Sequence, residues 1–159
     1  EVLAMIPDDF RGKVLDVPVG TAVFTAEKYR RMTDAEIVGL DYSQEMLAIA
    51  GERAAQMQLR NLRLEQGDVG KLPYPDDSFD CVLSMNGFHV FPDKSKAFAE
   101  TFRVLKAGGL FCGCSTSRGS VRVPTVLYAT YSTAKGCSCR PTLPEPKPKT
   151  CFAPFMAIR

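Results

Sequence analysis

Two acidic residues, Asp16 and Asp41, each end a short apolar run, and a turn that contains Gly20 follows the first of them. In a parallel sheet the carboxyl ends of neighbouring strands meet at one edge. There a glycine-bearing turn lets a ligand approach the backbone, and a carboxylate can hold a ribose diol. The two acids and the turn therefore predict a pocket for a nucleotide-like ligand.

Strands and helices must alternate to bring these residues together. Ser43 is the predicted N-cap of the second helix, and Gly108-Gly109 is expected to end the third helix in a left-handed conformation. The alternation predicts an α/β fold in three layers, with a mostly parallel sheet and helices on both faces. Apolar patterning predicts strands over 13–17, 36–40, 61–65, 79–85 and 110–114, and helices over 22–32, over 44–57 and from Asp93 or Lys94 onward.

The composition is that of an ordinary globular chain. With 159 residues, 45% of them hydrophobic and 24% charged, the chain suits a single domain. No apolar run approaches the roughly 20 residues that span a bilayer. Because the sequence starts without a Met or a signal-peptide pattern, the N-terminus is expected to be incomplete.

The six cysteines favour a reducing, cytoplasmic setting. Cys81, Cys112 and Cys114 lie in apolar runs, as small hydrophobic residues would. The pair Cys137 and Cys139 lacks the two-residue gap of a zinc knuckle, and the single histidine, His89, is remote in sequence. No metal site is expected.

The last part of the chain has a different composition. Residues 1–115 carry 13 Lys and Arg against 17 Asp and Glu, whereas residues 116–159 carry 7 against 1 and hold six of the eleven prolines. The segment 121–131 is compatible with a strand or a helix. The basic charges are scattered and have few aromatic neighbours, so nucleic-acid binding is disfavoured.

Residues 1–115 resemble the class I S-adenosylmethionine-dependent methyltransferases, and within them the small bacterial ubiquinone/menaquinone-type enzymes. The resemblance implies a Rossmann-like sheet and S-adenosylmethionine as the cofactor. It is carried by ordered blocks: Val14-Leu15-Asp16 with Gly20-Thr21, Val38-Gly39-Leu40-Asp41 continuing to Leu47, Gly67-Asp68-Val69, Leu72-Pro73-Tyr74-Pro75 continuing to Asp80, and Phe102-Arg103-Val104-Leu105 continuing to Gly109.

The resemblance ends after residue 115. Residues 116–159 do not resemble the family's usual ending, so the C-terminal strands of the sheet are expected to be missing or altered. We hypothesise a frame-shift in the source gene as the cause. Residues 1–115 are accordingly taken as the methyltransferase domain, and residues 116–159 as an atypical tail.

The same resemblance assigns roles to individual residues. Asp16 would lie near the cofactor's ammonium group, Asp41 would accept both ribose hydroxyls, and Asp68 would accept from the adenine amino group. Pro18 and Ala22 stand where the family has glycine. The remaining implied contacts are Val17, Pro18, Gly20 and Thr21 around the amino-acid portion, Tyr42 beside Asp41, Val69 at an adenine ring nitrogen, Met46 and Leu72 on the two faces of the ring, and Asn86 and Gly87 at the methionine portion.

Each of these residues also has a simpler interpretation. Asp16 could cap the following helix, and Asp41 and Asp68 could be ordinary loop acids. Met46 could belong to the helix core, and Tyr42 could pack within its loop. His89 follows the fourth strand, where it would serve either as a general base near the methyl acceptor or as a hydrogen-bonded loop histidine.

The implied reaction is transfer of a methyl group to a small-molecule acceptor by in-line displacement. The alternative is a cofactor-binding member of the same fold that catalyses nothing. A nicotinamide-dependent oxidoreductase is disfavoured, because Gly20 alone does not complete a G-x-G-x-x-G motif.

Overall fold

In the computed structural model, which describes residues 2–88, 90–115 and 125–130, six strands form one sheet in the order β3-β2-β1-β4-β5-β6. The first five strands pair in parallel, and β6 pairs antiparallel with β5. The mostly parallel sheet predicted from the sequence is therefore confirmed. The strands are β1 (Gly12–Asp16), β2 (Ala35–Asp41), β3 (Leu62–Gln66), β4 (Phe79–Met85), β5 (Leu105–Ser115) and β6 (Thr125–Thr130).

The described helices are α1 (Ala26–Arg31), α2 (Gln44–Gln56) and α3 (Lys94–Val104), preceded by a 3₁₀ helix over Val2–Met5. The predicted N-cap of α2 is confirmed, because the Met46 N–H donates to the Ser43 hydroxyl over 3.2 Å. No helix within these described segments has the length and apolar character needed to cross a bilayer.

The core lies on both faces of the sheet, since successive strand residues point to opposite sides. On one face, Val14 packs with Tyr29 of α1 and with Ile6 from the N-terminal segment. On the other face, Leu15 packs with Ala97 of α3. Buried residues of α1 and α2 also pack together. Helices thus cover both faces of the sheet, as predicted.

Two predicted helix boundaries were wrong. The first helix begins at Ala26 rather than at residue 22, because Ala22 has a φ of +54° and cannot belong to a right-handed helix. The third helix ends at Val104, not at Gly108-Gly109. The next residue, Leu105, is fully buried and already pairs with Phe79, so the chain enters β5 there.

The glycine pair lies instead in an irregular part of β5. The pairing of β4 with β5 shifts between Phe79 and Cys81, and Gly108 has a φ of +79°. The sequence signal for a left-handed residue was therefore sound, although the helix ends before it. Apart from β6, residues 116–159 lie outside the described residues. The hypothesis of an altered ending concerns those residues and stays a hypothesis.

Candidate functional site

The candidate site lies where the strand order reverses. From β1 the chain moves outward to β2 and β3, and it then returns to β4 on the other side of β1. In open α/β sheets a crevice forms at this point, outside the carboxyl ends of the strands. Asp16 and Asp41 are the last residues of β1 and β2, so the topology brings both acids to the same edge of the sheet.

Two cavities open at this edge and share Pro18 as a wall. The larger has a volume of about 440 Å³ and the smaller about 260 Å³. The larger is lined by Val17, Pro18, Leu40, Asp41, Tyr42, Gly67, Asp68, Val69, Val90, Phe91 and Pro92. The smaller is lined by residues 18–25 together with Met46, Met85 and Asn86.

Asp41 is held in place by backbone donors on two sides. Its Oδ2 accepts from the Gly20 N–H over 2.8 Å, and its Oδ1 accepts from the Ser43 N–H over 2.9 Å. The carboxylate therefore ties the turn after β1 to the start of α2. Only 7% of the residue is exposed, and it lines the larger cavity. It is not the loose surface acid of the simpler interpretation.

Asp16 lies deeper, behind the turn. Its Oδ2 accepts from the Tyr29 hydroxyl over 2.5 Å, and its buried Oδ1 has no hydrogen-bond partner among the described residues. Burial raises the pKa of Asp16 to about 7, although the Tyr29 and Thr25 hydroxyls act to lower it. Asp16 lines neither cavity. Its described partner is a side chain of α1, rather than a backbone N–H that it would cap.

The turn between β1 and α1 is anchored to both neighbouring strands. The Val17 N–H donates to the Leu83 carbonyl of β4, and the Val19 N–H donates to the Leu40 carbonyl of β2, each over 2.9 Å. Gly20 has a φ of +55°, and Ala22, at a family glycine position, has a φ of +54°. For alanine, this left-handed conformation has a conformational free-energy cost of about 1 kcal/mol. Ala22 thus adopts a backbone conformation that glycine would reach without this cost.

Asp68 and Val69 form the far wall of the larger cavity. Asp68 is exposed, and its Oδ1 accepts from the Gly70 N–H over 2.8 Å. Its carbonyl accepts from the Lys71 N–H over 3.0 Å. Val69 is buried in the core beneath this turn. The two residues therefore present a carboxylate and a backbone segment to the cavity from a tight turn.

Two predicted ring contacts do not face the same cavity. Leu72 is only 4% exposed and packs in the core next to Val69, whereas Met46 lines the smaller cavity and is 42% exposed. Met46 is therefore not a helix-core residue, but it does not form a pair with Leu72. Tyr42, which is 78% exposed, lines the larger cavity.

Asn86 and Gly87 follow β4 and approach the turn from the other side. Asn86 has a φ of +57° and lines the smaller cavity. Gly87 packs against Pro18 so closely that an added Cβ would lie 2.1 Å from the proline Cδ. Gly87 therefore supports the wall shared by the two cavities and lines neither of them.

The sequence indicated the segment after β4 as an acceptor region, but it did not predict Val90, Phe91 and Pro92 as a wall of the larger cavity. Phe91 meets Phe88 edge to face, with ring centroids 5.3 Å apart. The available sequence signal for this wall was the apolar pair Val90 and Phe91 directly before Pro92. His89, the predicted catalytic residue, lies outside the described residues.

The strand order and the paired acids at its reversal define a Rossmann-like, nucleotide-binding type of α/β domain. Residues 14–109 match the model of the methyltransferase domain family, and the chain belongs to that family. The blocks from which the resemblance was inferred lie within this range.

Relatives and solved structures agree with the family. The chain is 45% identical over 97 residues to the demethylmenaquinone methyltransferase of Deinococcus radiodurans, a match over 61% of this chain and 40% of that protein. The YcgJ protein of Bacillus subtilis has 31% identity and a TM-score of 0.65, over 72% of this chain and 48% of that one. A methyltransferase from Aquifex aeolicus shares the fold, with 21% identity and a TM-score of 0.67 over 77% of this chain and 67% of that one. The chain thus spans less than half the length of the curated relative.

Proposed function

We propose that this chain carries a methyltransferase domain that binds S-adenosylmethionine and passes its methyl group to a small-molecule acceptor. The observation that carries the proposal is the Asp41 carboxylate, oriented by the Gly20 and Ser43 N–H groups beside a cavity that adjoins a second one at Pro18. The family match and the S-adenosylmethionine-dependent class to which it belongs support the cofactor.

The cavities fit a ligand with two unlike ends. The larger, at about 440 Å³, suits a nucleoside, and the smaller, at about 260 Å³, suits an amino-acid chain. Pro18 lines both, so one ligand can pass across it from one to the other. Asp16 directly precedes the turn that lines the smaller cavity, and its buried Oδ1 has no partner among the described residues.

In this proposal, most of the implied contacts divide between the two cavities. Asp41 would accept from the ribose hydroxyls, while Asp68 and the Val69 N–H would meet the adenine edge in the larger cavity. Gly20 and Thr21, together with Asn86, would surround the amino-acid portion in the smaller cavity. Asp16 would stabilise the ammonium through the field of its carboxylate rather than by lining the wall.

When bound, S-adenosylmethionine supplies an electrophilic methyl group on a sulfonium, which an acceptor displaces in line to leave S-adenosylhomocysteine. The chain's own part is to align the reactants and exclude water from the reacting centre. Relatives named demethylmenaquinone methyltransferase support a quinone-type acceptor. His89 remains our candidate for a base that takes the acceptor's proton.

We further propose that the domain acts in a reducing, cytoplasmic setting. The free, buried thiols of Cys81, Cys112 and Cys114 support this, since they pack as small apolar groups.

Calorimetric titration with S-adenosylhomocysteine tests the proposal. We expect the wild-type chain to bind and Asp41→Asn to lose about a hundredfold in affinity, because charge-assisted hydrogen bonds contribute about 1.5–3 kcal/mol each. The matched control is Asp34→Asn, which removes an acid that pairs with Arg11 on the surface and should bind like wild type. An Asp41→Asn variant that binds with unchanged affinity, or a wild type that binds NADH instead, would overturn the assignment.

A further inference from the structure

Glu100 and Arg103 of α3 form a bidentate ion pair. The pair also hydrogen-bonds to the backbone of a loop rather than to another helix. Arg103 Nε donates to Glu100 Oε1 over 2.7 Å, and Nη2 donates to Oε2 over 2.8 Å. The side chains are 21% and 30% exposed, so water screens them only in part. Neither residue lines either cavity.

The pair holds the backbone of Leu72 from both directions. The Leu72 N–H donates to Glu100 Oε2 over 2.8 Å, and the Leu72 carbonyl accepts from Arg103 Nη2 over 3.1 Å. Arg103 Nη1 also donates to the Tyr74 carbonyl over 2.8 Å. A planar guanidinium suits such a set of acceptors, because its donors have a fixed geometry that a lysine ammonium lacks. The loop is thereby fixed to the side chains of α3 at Leu72 and at Tyr74.

The bound Leu72 backbone lies next in sequence to the turn that forms a wall of the larger cavity. Lys71, the residue before Leu72, donates its N–H to the Asp68 carbonyl over 3.0 Å, and Gly70 donates its N–H to the Asp68 carboxylate over 2.8 Å. The turn from Asp68 to Lys71 is therefore closed at one end by its own hydrogen bonds. At the other end, the Glu100–Arg103 pair sets its position.

We infer that Glu100 and Arg103 are positioning residues that aim the Asp68 carboxylate at the exocyclic amino group of the cofactor's adenine. The inference rests on the proposed function and extends it to how the base is selected. Neither residue touches the ligand. Their contribution is to hold the short turn in place, so that the exposed Asp68 carboxylate faces the amino group.

The test compares two ligands that differ only at that position: S-adenosylhomocysteine, and its 6-deamino analogue, whose purine ring carries a hydrogen in place of the amino group. Wild type should prefer the amino ligand at least tenfold, because the Asp68 carboxylate accepts a hydrogen bond from the amino group and finds no donor at the C–H position. Arg103→Lys keeps the positive charge but loses the fixed arrangement of guanidinium N–H donors. The preference for the amino ligand should therefore fall to about threefold or less. Glu100→Gln, which is isosteric, should reduce it by a smaller factor.

The chain offers a matched control on α1. Glu27 and Arg30 have the same three-residue spacing and the same kind of pairing, at 3.0 and 2.7 Å, on an exposed helix face. Arg30→Lys should leave both affinities and their ratio unchanged. Thermal unfolding of every variant is measured alongside.

If the pair had a purely structural role, its loss would lower the affinity for both ligands by the same factor. The ratio of the two affinities would then stay at the wild-type value. That result in folded Arg103→Lys, or in Glu100→Gln should the first variant not fold, would overturn the inference. A wild type that binds both ligands equally would overturn it as well and leave cofactor binding intact. A wild type that binds neither ligand would instead refute the proposed function.

Discussion

Asp16 is a carboxyl group enclosed by protein, and its main described partner is the neutral hydroxyl of Tyr29. Burial without a counter-charge costs free energy when the group is ionised, which is why its pKa rises to about 7. Such groups persist where function needs them. We interpret Asp16 as a residue that lowers the stability of the fold and serves the ligand.

The substitution Asp16→Asn should stabilise the protein at neutral pH. Because the folded-state pKa of Asp16 is about 7, against about 3.9 in an unfolded chain, the folded state binds a proton that the unfolded chain has released. The stabilising contribution is complete below pH 4 or so and is lost as the pH rises through about 7. The neutral amide avoids this loss, so the gain over wild type should grow from near zero at pH 4 to at most about 4 kcal/mol above pH 7.

Urea unfolding of both proteins across this pH range measures the difference. If the proposed function holds, cofactor affinity should also fall in this variant, because the negative charge proposed to stabilise the ammonium is gone. A stability difference that does not change with pH would show that Asp16 keeps an ordinary pKa.

At the start of α2, the local sequence and the site depend on the same residue. The Ser43 hydroxyl accepts from the Met46 N–H, and the Ser43 N–H donates to Asp41. The cap of the helix and the orientation of the candidate ribose-binding carboxylate are thus coupled. Sequence pattern predicted the cap, since Ser directly before an apolar-periodic run is a strong local signal.

Ser43→Ala should lower the free energy of unfolding by about 1 kcal/mol, the usual contribution of an N-cap hydroxyl. Chemical denaturation measures it. The control is Ser95→Ala, a serine in the first turn of α3 where Asp93 is the cap, and it should change stability by less than about 0.5 kcal/mol. Equal losses in the two variants would count against the capping role.

The N-terminal segment belongs to the folded unit as a whole. Ile6 is 1% exposed and packs with Val14 of the sheet and with Tyr29 of α1. The buried Lys28 of α1 donates to the Ile6 carbonyl and pairs with Asp8. Packing, together with an ion pair between buried Lys28 and exposed Asp8, therefore binds the same short segment to α1 and the sheet.

Ile6→Ala should destabilise the whole domain by about 2–5 kcal/mol, because it leaves a cavity in a packed core. Its neighbour Met5 is 37% exposed, so Met5→Ala is the matched control and should cost less than about 0.5 kcal/mol. The midpoint of thermal unfolding reports both. If Ile6→Ala unfolds at the wild-type temperature, the segment does not form part of the cooperative core.

The sequence alone was enough to predict the layered α/β fold, the strand Phe79–Met85 to the residue, and the edge of the sheet where Asp16 and Asp41 meet. These features follow from local periodicity, because the spacing of apolar residues records which faces are buried. The ordered blocks of the family resemblance added the cofactor class, and the family match confirms the family.

Contacts between distant segments decided the rest. The tertiary structure buries Asp16 against Tyr29, separates Met46 from Leu72, and ends α3 where Leu105 enters the core and pairs with Phe79. It also joins Arg103 to a loop about 30 residues earlier in the chain, at Leu72 and Tyr74. None of these has a local signal, because burial and hydrogen bonding across a sheet depend on which segments become neighbours, and a residue's own surroundings in sequence do not record that.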